Sequence, residues 1–206
     1  MGVNNKIDMQ KVATNAGKLS TGGKNVAKYF FSAYNELKKM GDYWWGTNYN
    51  ELVTAMNGLV TSFNDMSKTI TVEIPTSLQT AMKNYANAFH TTAPSVAVQS
   101  PQTLSALSLP SKTEVKYDEA KVSASKTAID TQFNNAIKAI DGEITTAVNN
   151  IKNNWQGEAG VSAEKKIKEI SKTVKENVNE INKQFKQSME AARQAVSSAE
   201  NANMYN

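Results

Sequence analysis

Tyr43-Trp44-Trp45-Gly46 and Asn154-Trp155-Gln156-Gly157 are the two stretches that decide how this chain folds. In each, a tryptophan closes an apolar stripe and a glycine frees the backbone to reverse. A helix–turn–helix hairpin needs that at its tip. Trp44 and Trp155 stand 111 positions apart (155 − 44) in a chain of 206 residues, with long helix-periodic sequence on both sides of each. The chain therefore reads as two copies of one hairpin.

Working outward from the first tip, Met9, Val12, Ala16, Leu19, Gly23, Val26, Phe30, Ala33, Leu37, Met40 and Trp44 recur in steps of three and four. Such a stripe marks a helix packed along its length, about 54 Å for the 9–44 arm. Gly17 and Gly22-Gly23 weaken it, so its first turns are expected to fray, while Ala16 and Gly23 leave room for a close neighbour. Beyond the tip, Thr47 or Asn48 is the expected N-cap, with Glu51 completing a capping box. The stripe continues through Tyr49, Leu52, Met56, Leu59, Phe63, Met66 and Ile70. It then slips by one step before Ile74, Leu78, Met82, Tyr85 and Phe89. Pro75 sits at the slip, so a kink or break is expected there. Thr69 to Ile74 is rich in β-branched residues, and a short strand is the rival reading.

Around the second tip, Ile129, Phe133, Ala136, Ile140, Ile144, Val148, Ile151 and Trp155 lead in. Ile167, Ile170, Val174, Val178, Ile181, Phe185, Met189, Ala192, Val196 and Ala199 lead away. Between the hairpins, Pro94, Pro101 and Pro110 lie among Ser, Thr, Ala and Gln, which reads as a linker with one helical turn at Leu104 to Leu107. The division is a first hairpin at 1–89, a linker at 90–116 and a second hairpin at 117–206.

Composition narrows the function. Apolar residues make up 40% of the chain, yet no run reaches the ~18–20 needed for a membrane span. There is no cysteine, which excludes disulfides and thiolate chemistry. The N-terminus lacks the apolar segment of an ordinary signal peptide. The net charge of +4 is modest and gives no reason to invoke nucleic acid. The first arm carries Lys11, Lys18, Lys24 and Lys28, a solvated face or else an interaction face for an acidic partner. His90, the one histidine, has no second ligand type beside it. No phosphate loop, zinc-binding pair or nucleophile elbow is present, so no catalytic residue, metal or cofactor is expected and the chain reads as non-enzymatic.

A long helix, a Trp-x-Gly turn and a second long helix, within about one hundred residues and without cysteine, resemble the WXG family of early-secreted-antigen (ESX) type proteins. The resemblance covers roughly 5–89 and 117–200, with Trp44, Trp45 and Gly46 matching the motif in one half and Trp155, Gln156 and Gly157 in the other. It implies an all-α fold of two helical hairpins packed as an antiparallel four-helix bundle, here a pseudo-dimer within one chain. Trp44 and Trp155 are then near opposite ends, and the chain is monomeric unless the hairpins pair between copies. It also implies a substrate or escort of type VII secretion in Gram-positive bacteria, exported without a cleaved signal peptide and cytoplasmic before export. The implied partners are the system's ATPase, a co-secreted toxin or another WXG protein. The family's Tyr-x-x-x-Asp/Glu export signal is not matched, since Tyr85 leads to Phe89 and Tyr117 to Lys121. A helical membrane-active protein and a cytoplasmic coiled-coil scaffold are the alternatives.

Overall fold

In the computed structural model, which describes residues 7–111, 115–155 and 157–203, helices gather into four arms. Helix α1 (Met9–Met40) is the first. The second is made of α2 (Thr47–Gly58), α3 (Val60–Lys68), a π-helical turn (Thr69–Glu73) and α4 (Ile74–Ala88). The third joins α5 (Glu119–Ala139) through another π-helical turn (Ile140–Ile144) to α6 (Thr145–Asn154). Helix α7 (Glu158–Asn203) is the fourth. Strand structure among the described residues amounts to β1 (Trp44–Trp45), β2 (Lys116–Tyr117) and one isolated bridge. The chain is thus all-α and bundle-like. The apolar stripes of all four arms meet in one core, from Val12, Phe30 and Trp44 through Phe63 and Phe133 to Phe185.

Helix α1 runs unbroken through its glycines, contrary to the expected fraying. The cause is close packing on both sides of Gly22-Gly23. A Cβ on Gly22 would lie 2.8 Å from Ile144, and one on Gly23 would lie 2.6 Å from Thr71 Oγ1 and 2.9 Å from the Thr71 backbone nitrogen. Both π-helical turns are pressed onto this one site, and tertiary packing outweighs the local helix penalty of about 1 kcal/mol per glycine.

The phase slip at Pro75 is absorbed by the first π-helical turn, and the rival strand does not form there. A π turn takes in one extra residue, which restores the stripe to the core without ending the arm. Proline has no N–H for the carbonyl four residues earlier, that of Thr71. The hydroxyl of Ser20, fully buried on α1, donates to that carbonyl instead, at 2.5 Å. In the third arm, Ile140, Ile144 and Val148 are separated by consecutive steps of four, and the second π turn falls there.

Three further expectations are corrected. Helix α2 starts at Thr47 with Gly46 as its N-cap and no side-chain cap, because Gly46, at φ 122°, already makes the reversal. Phe89 does not continue the stripe. It follows the end of α4, is 64% exposed and packs at a tilt on the Tyr85 ring, centroids 4.6 Å apart. No helical turn forms at Leu104 to Leu107. Residues 91–111 are extended and lie as a strap along the groove between α1 and the second arm.

Candidate interaction sites at the two tryptophan tips

At the first tip, Trp44 is 1% exposed, its ring 5.8 Å from Tyr49 and 5.4 Å, edge-on, from Tyr117. Burial pushes the Tyr49 hydroxyl up to about 12, and it donates to the Leu37 carbonyl at 2.8 Å. Trp45 is half-buried. Its Nε1 donates to the Gly41 carbonyl at 2.5 Å, and the Lys116 ammonium lies 4.8 Å from its ring centre. Gly46 has φ 122° and ψ −179°, a conformation essentially confined to glycine. The motif's glycine is therefore demanded by the backbone.

At the second tip the glycine is required by packing rather than by a positive φ. Trp155 is 8% exposed, and its indole folds back over Gly157, where a Cβ would lie 2.7 Å from Nε1. Gly160 lets α7 leave close beside α6, since a Cβ there would meet Lys152 Cα at 3.1 Å. Gln156 lies outside the described residues.

Each tip is latched to the start of the other hairpin by a matching device. Tyr117 pairs with Trp44 in the β1–β2 ladder, and Ile7 makes an antiparallel bridge with Trp155. The backbone N–H of Asp118 donates to the Tyr43 carbonyl, and that of Asp8 to the Asn154 carbonyl, both at 3.0 Å. Each aspartate then caps the helix it opens, Asp8 accepting from Lys11 N at 3.1 Å and Asp118 from Lys121 N at 3.2 Å. Hydrogen bonds from Lys11 and Lys121 to these carboxylates hold both below the usual aspartate range.

The sequence carries a signal for this device that the stripe analysis passed over. Ile7-Asp8-Met9-Gln10-Lys11-Val12 and Tyr117-Asp118-Glu119-Ala120-Lys121-Val122 share an apolar residue, Asp, two free positions, Lys and Val. The aspartates are 110 positions apart (118 − 8), one fewer than the tryptophans. Both repeats thus supply one tip and one latch.

Four of the six lysines of α1 fall into two pairs. Lys11 and Lys18, seven residues apart, share one face, and Lys24 and Lys28, four apart, share another about 120° away around the helix. Lys11 pairs with Asp8 at 3.3 Å. Lys18 borders an open cavity of about 850 Å³, with Glu143 and Asn150 on its other side. Lys24 reaches the Gln99 side chain at 3.3 Å, and Lys28 is exposed with no ion pair among the described residues. Among the described residues no group of acidic or histidine side chains is arranged to hold a metal ion, and no helix is long and apolar enough to cross a membrane. No protein-family model matches the chain, nor does any curated protein or solved structure.

Proposed function

We propose that this chain is a fused WXG-type pseudo-dimer, a non-enzymatic substrate or escort of type VII secretion. Its two hairpins pack as an antiparallel four-helix bundle. The observation that carries the reading is the reciprocal latch: each Trp-x-Gly tip docks on the capped start of the other hairpin. Two separate hairpin proteins pairing head to tail would make the same contacts twice, and here the strap makes the pairing intramolecular. Connecting partners in this way raises their effective concentration to the millimolar range or above.

In this reading the buried Trp44 and Trp155 stabilise the tips that the secretion machinery or a co-exported protein recognises. Since neither Tyr85 nor Tyr117 has an acid four residues on, the partner supplies the export signal. Expression in a host with a working type VII system tests the proposal. The protein is expected in the culture medium, and lost from it when the system's ATPase is deleted. Retention in the cytoplasm with and without co-expressed candidate partners overturns it.

A further inference from the structure

The strap is held by its backbone. Gln79 donates to the Pro94 carbonyl at 3.0 Å and accepts from Val96 N at 2.5 Å. Asn64 makes the same two-way grip on Leu104, at 3.0 and 2.8 Å. Asn57 repeats it on Leu107, with both bonds at 2.8 Å. On the α1 side, Gln99 N donates to Ser20 Oγ at 2.8 Å. A side-chain amide that meets both the N–H and the C=O of an extended chain reads main chain, whatever the side chain there.

The register is regular. Ala93, Val96, Gln99 and Gln102, and then Leu104, Leu107 and Pro110, are the more buried positions and fall three apart within each run, with Pro94 as the other such position. Three residues per turn is the period of a polyproline II chain, which three prolines favour. From Gln79 back to Asn57 is twenty-two helical residues (79 − 57), about 33 Å. Pro94 to Leu107 is thirteen residues (107 − 94), about 40 Å in polyproline II form. The two lengths agree closely enough for successive rungs to stay in step.

The strap is an imperfect occupant of this groove. Leu104 is its one buried hydrophobic side chain, while Val98 and Leu109 are 41% and 50% exposed. Open volumes of about 850 Å³ and 500 Å³ border it at Ala97 and at Leu104–Leu107. Asn50, one heptad before Asn57, continues the line of amides, and its Oδ1 is buried without a donor among the described residues. Three strap residues beyond Leu107 is Pro110, which has no N–H to offer that rung.

We infer that the groove between α1 and the second arm is a peptide-binding site that reads main chain. The strap is its resident, and an extended segment of a partner protein, with an apolar residue at every third position, is its exchangeable ligand. Such a ligand displaces the strap rung by rung and, with an N–H opposite Asn50, gains a bond the strap lacks.

The test uses the full chain with residues 92–110 replaced by a Gly/Ser segment of equal length, after confirming cooperative melting. A fluorescent synthetic peptide of the native 92–110 sequence is titrated by anisotropy. Saturable binding is expected, weakened about tenfold or more when Asn57 and Asn64 are both changed to alanine. A peptide with Pro110→Ala is expected to bind more tightly, and the unmodified chain to bind far more weakly because its own strap competes. No saturable binding, or binding indifferent to the asparagines, overturns the inference. If the replaced chain does not fold, amide exchange of the unmodified chain decides. Leu104 and Leu107 amides exchanging well before the core of α1 support displacement, and exchange only with global unfolding overturns it.

Discussion

Ser20→Ala tests how the waist of the molecule is built. Pro75 deprives the Thr71 carbonyl of its helical donor, and the buried Ser20 hydroxyl replaces that donor while accepting from Gln99 N. Alanine removes both bonds without adding bulk. A buried carbonyl left unpaired costs about 1–3 kcal/mol, and the partly buried Gln99 N–H adds about 0.5–1.5. Alanine's better helix propensity returns about 0.5 kcal/mol. The expected net loss is about 1–4 kcal/mol, read by urea unfolding at unchanged m-value. Thr54→Ala, which removes an exposed hydroxyl bonded to Asn50 O at 2.8 Å, is the control and is expected to stay within about 0.5 kcal/mol. The decisive comparison is a double-mutant cycle. Pro75→Ala returns an N–H four residues after Thr71, so Ser20→Ala should cost at least about 0.5 kcal/mol less in that background. Strict additivity of the two substitutions, or no loss from Ser20→Ala alone, refutes the reasoning.

Three glycines should respond with different signs. Gly23→Ala drives a Cβ to 2.9 Å from backbone that cannot yield, and is expected to cost about 1–3 kcal/mol in thermal or urea unfolding. Gly58→Ala, with nothing within 4 Å, should gain about 0.5–1 kcal/mol. Gly46→Ala forces φ 122° on a side chain and is expected to lose about 1–3 kcal/mol, with slower hydrogen exchange at the first tip as the contrary result. The two capping aspartates set an acid dependence. Their folded pKa values are depressed below 3.8, so their stabilisation is present above that pH and lost as pH falls through the folded values. Asp8→Asn with Asp118→Asn keeps the caps but not the titration, and should flatten the stability–pH curve below about pH 4, a curve unchanged from the parent being the adverse outcome.

Much of the fold was legible because it rests on periodicity. The stripes ending at Trp44 and Trp155 assign the arms, and both tryptophans are buried where the stripes place them. Features created by long-range packing were harder to read. Gly22-Gly23 lowers helix propensity locally, and nothing nearby in sequence says that Ile144 and Thr71 come to lie against it. The π turns leave only runs of four-residue steps as their trace, at Met66, Ile70, Ile74 and Leu78 and at Ile140, Ile144 and Val148. The strap's course depends on Asn57, Asn64 and Gln79, polar residues that a search for apolar spacing ignores. The heptad line of Asn50, Asn57 and Asn64 was the available signal. The latches were visible too, as the repeated Asp-x-x-Lys-Val, but only to a comparison of the halves.

The central claim is that the two hairpins pair head to tail within one chain, and the distance between tips tests it most directly. With no native cysteine, Thr47→Cys and Glu158→Cys give two exposed labelling sites beside the tips. The 32 residues of α1 separate the ends by about 48 Å, so pulsed spin-label measurements on a diluted doubly labelled chain should peak at about 45–55 Å. A peak below about 25 Å means parallel hairpins and contradicts the account.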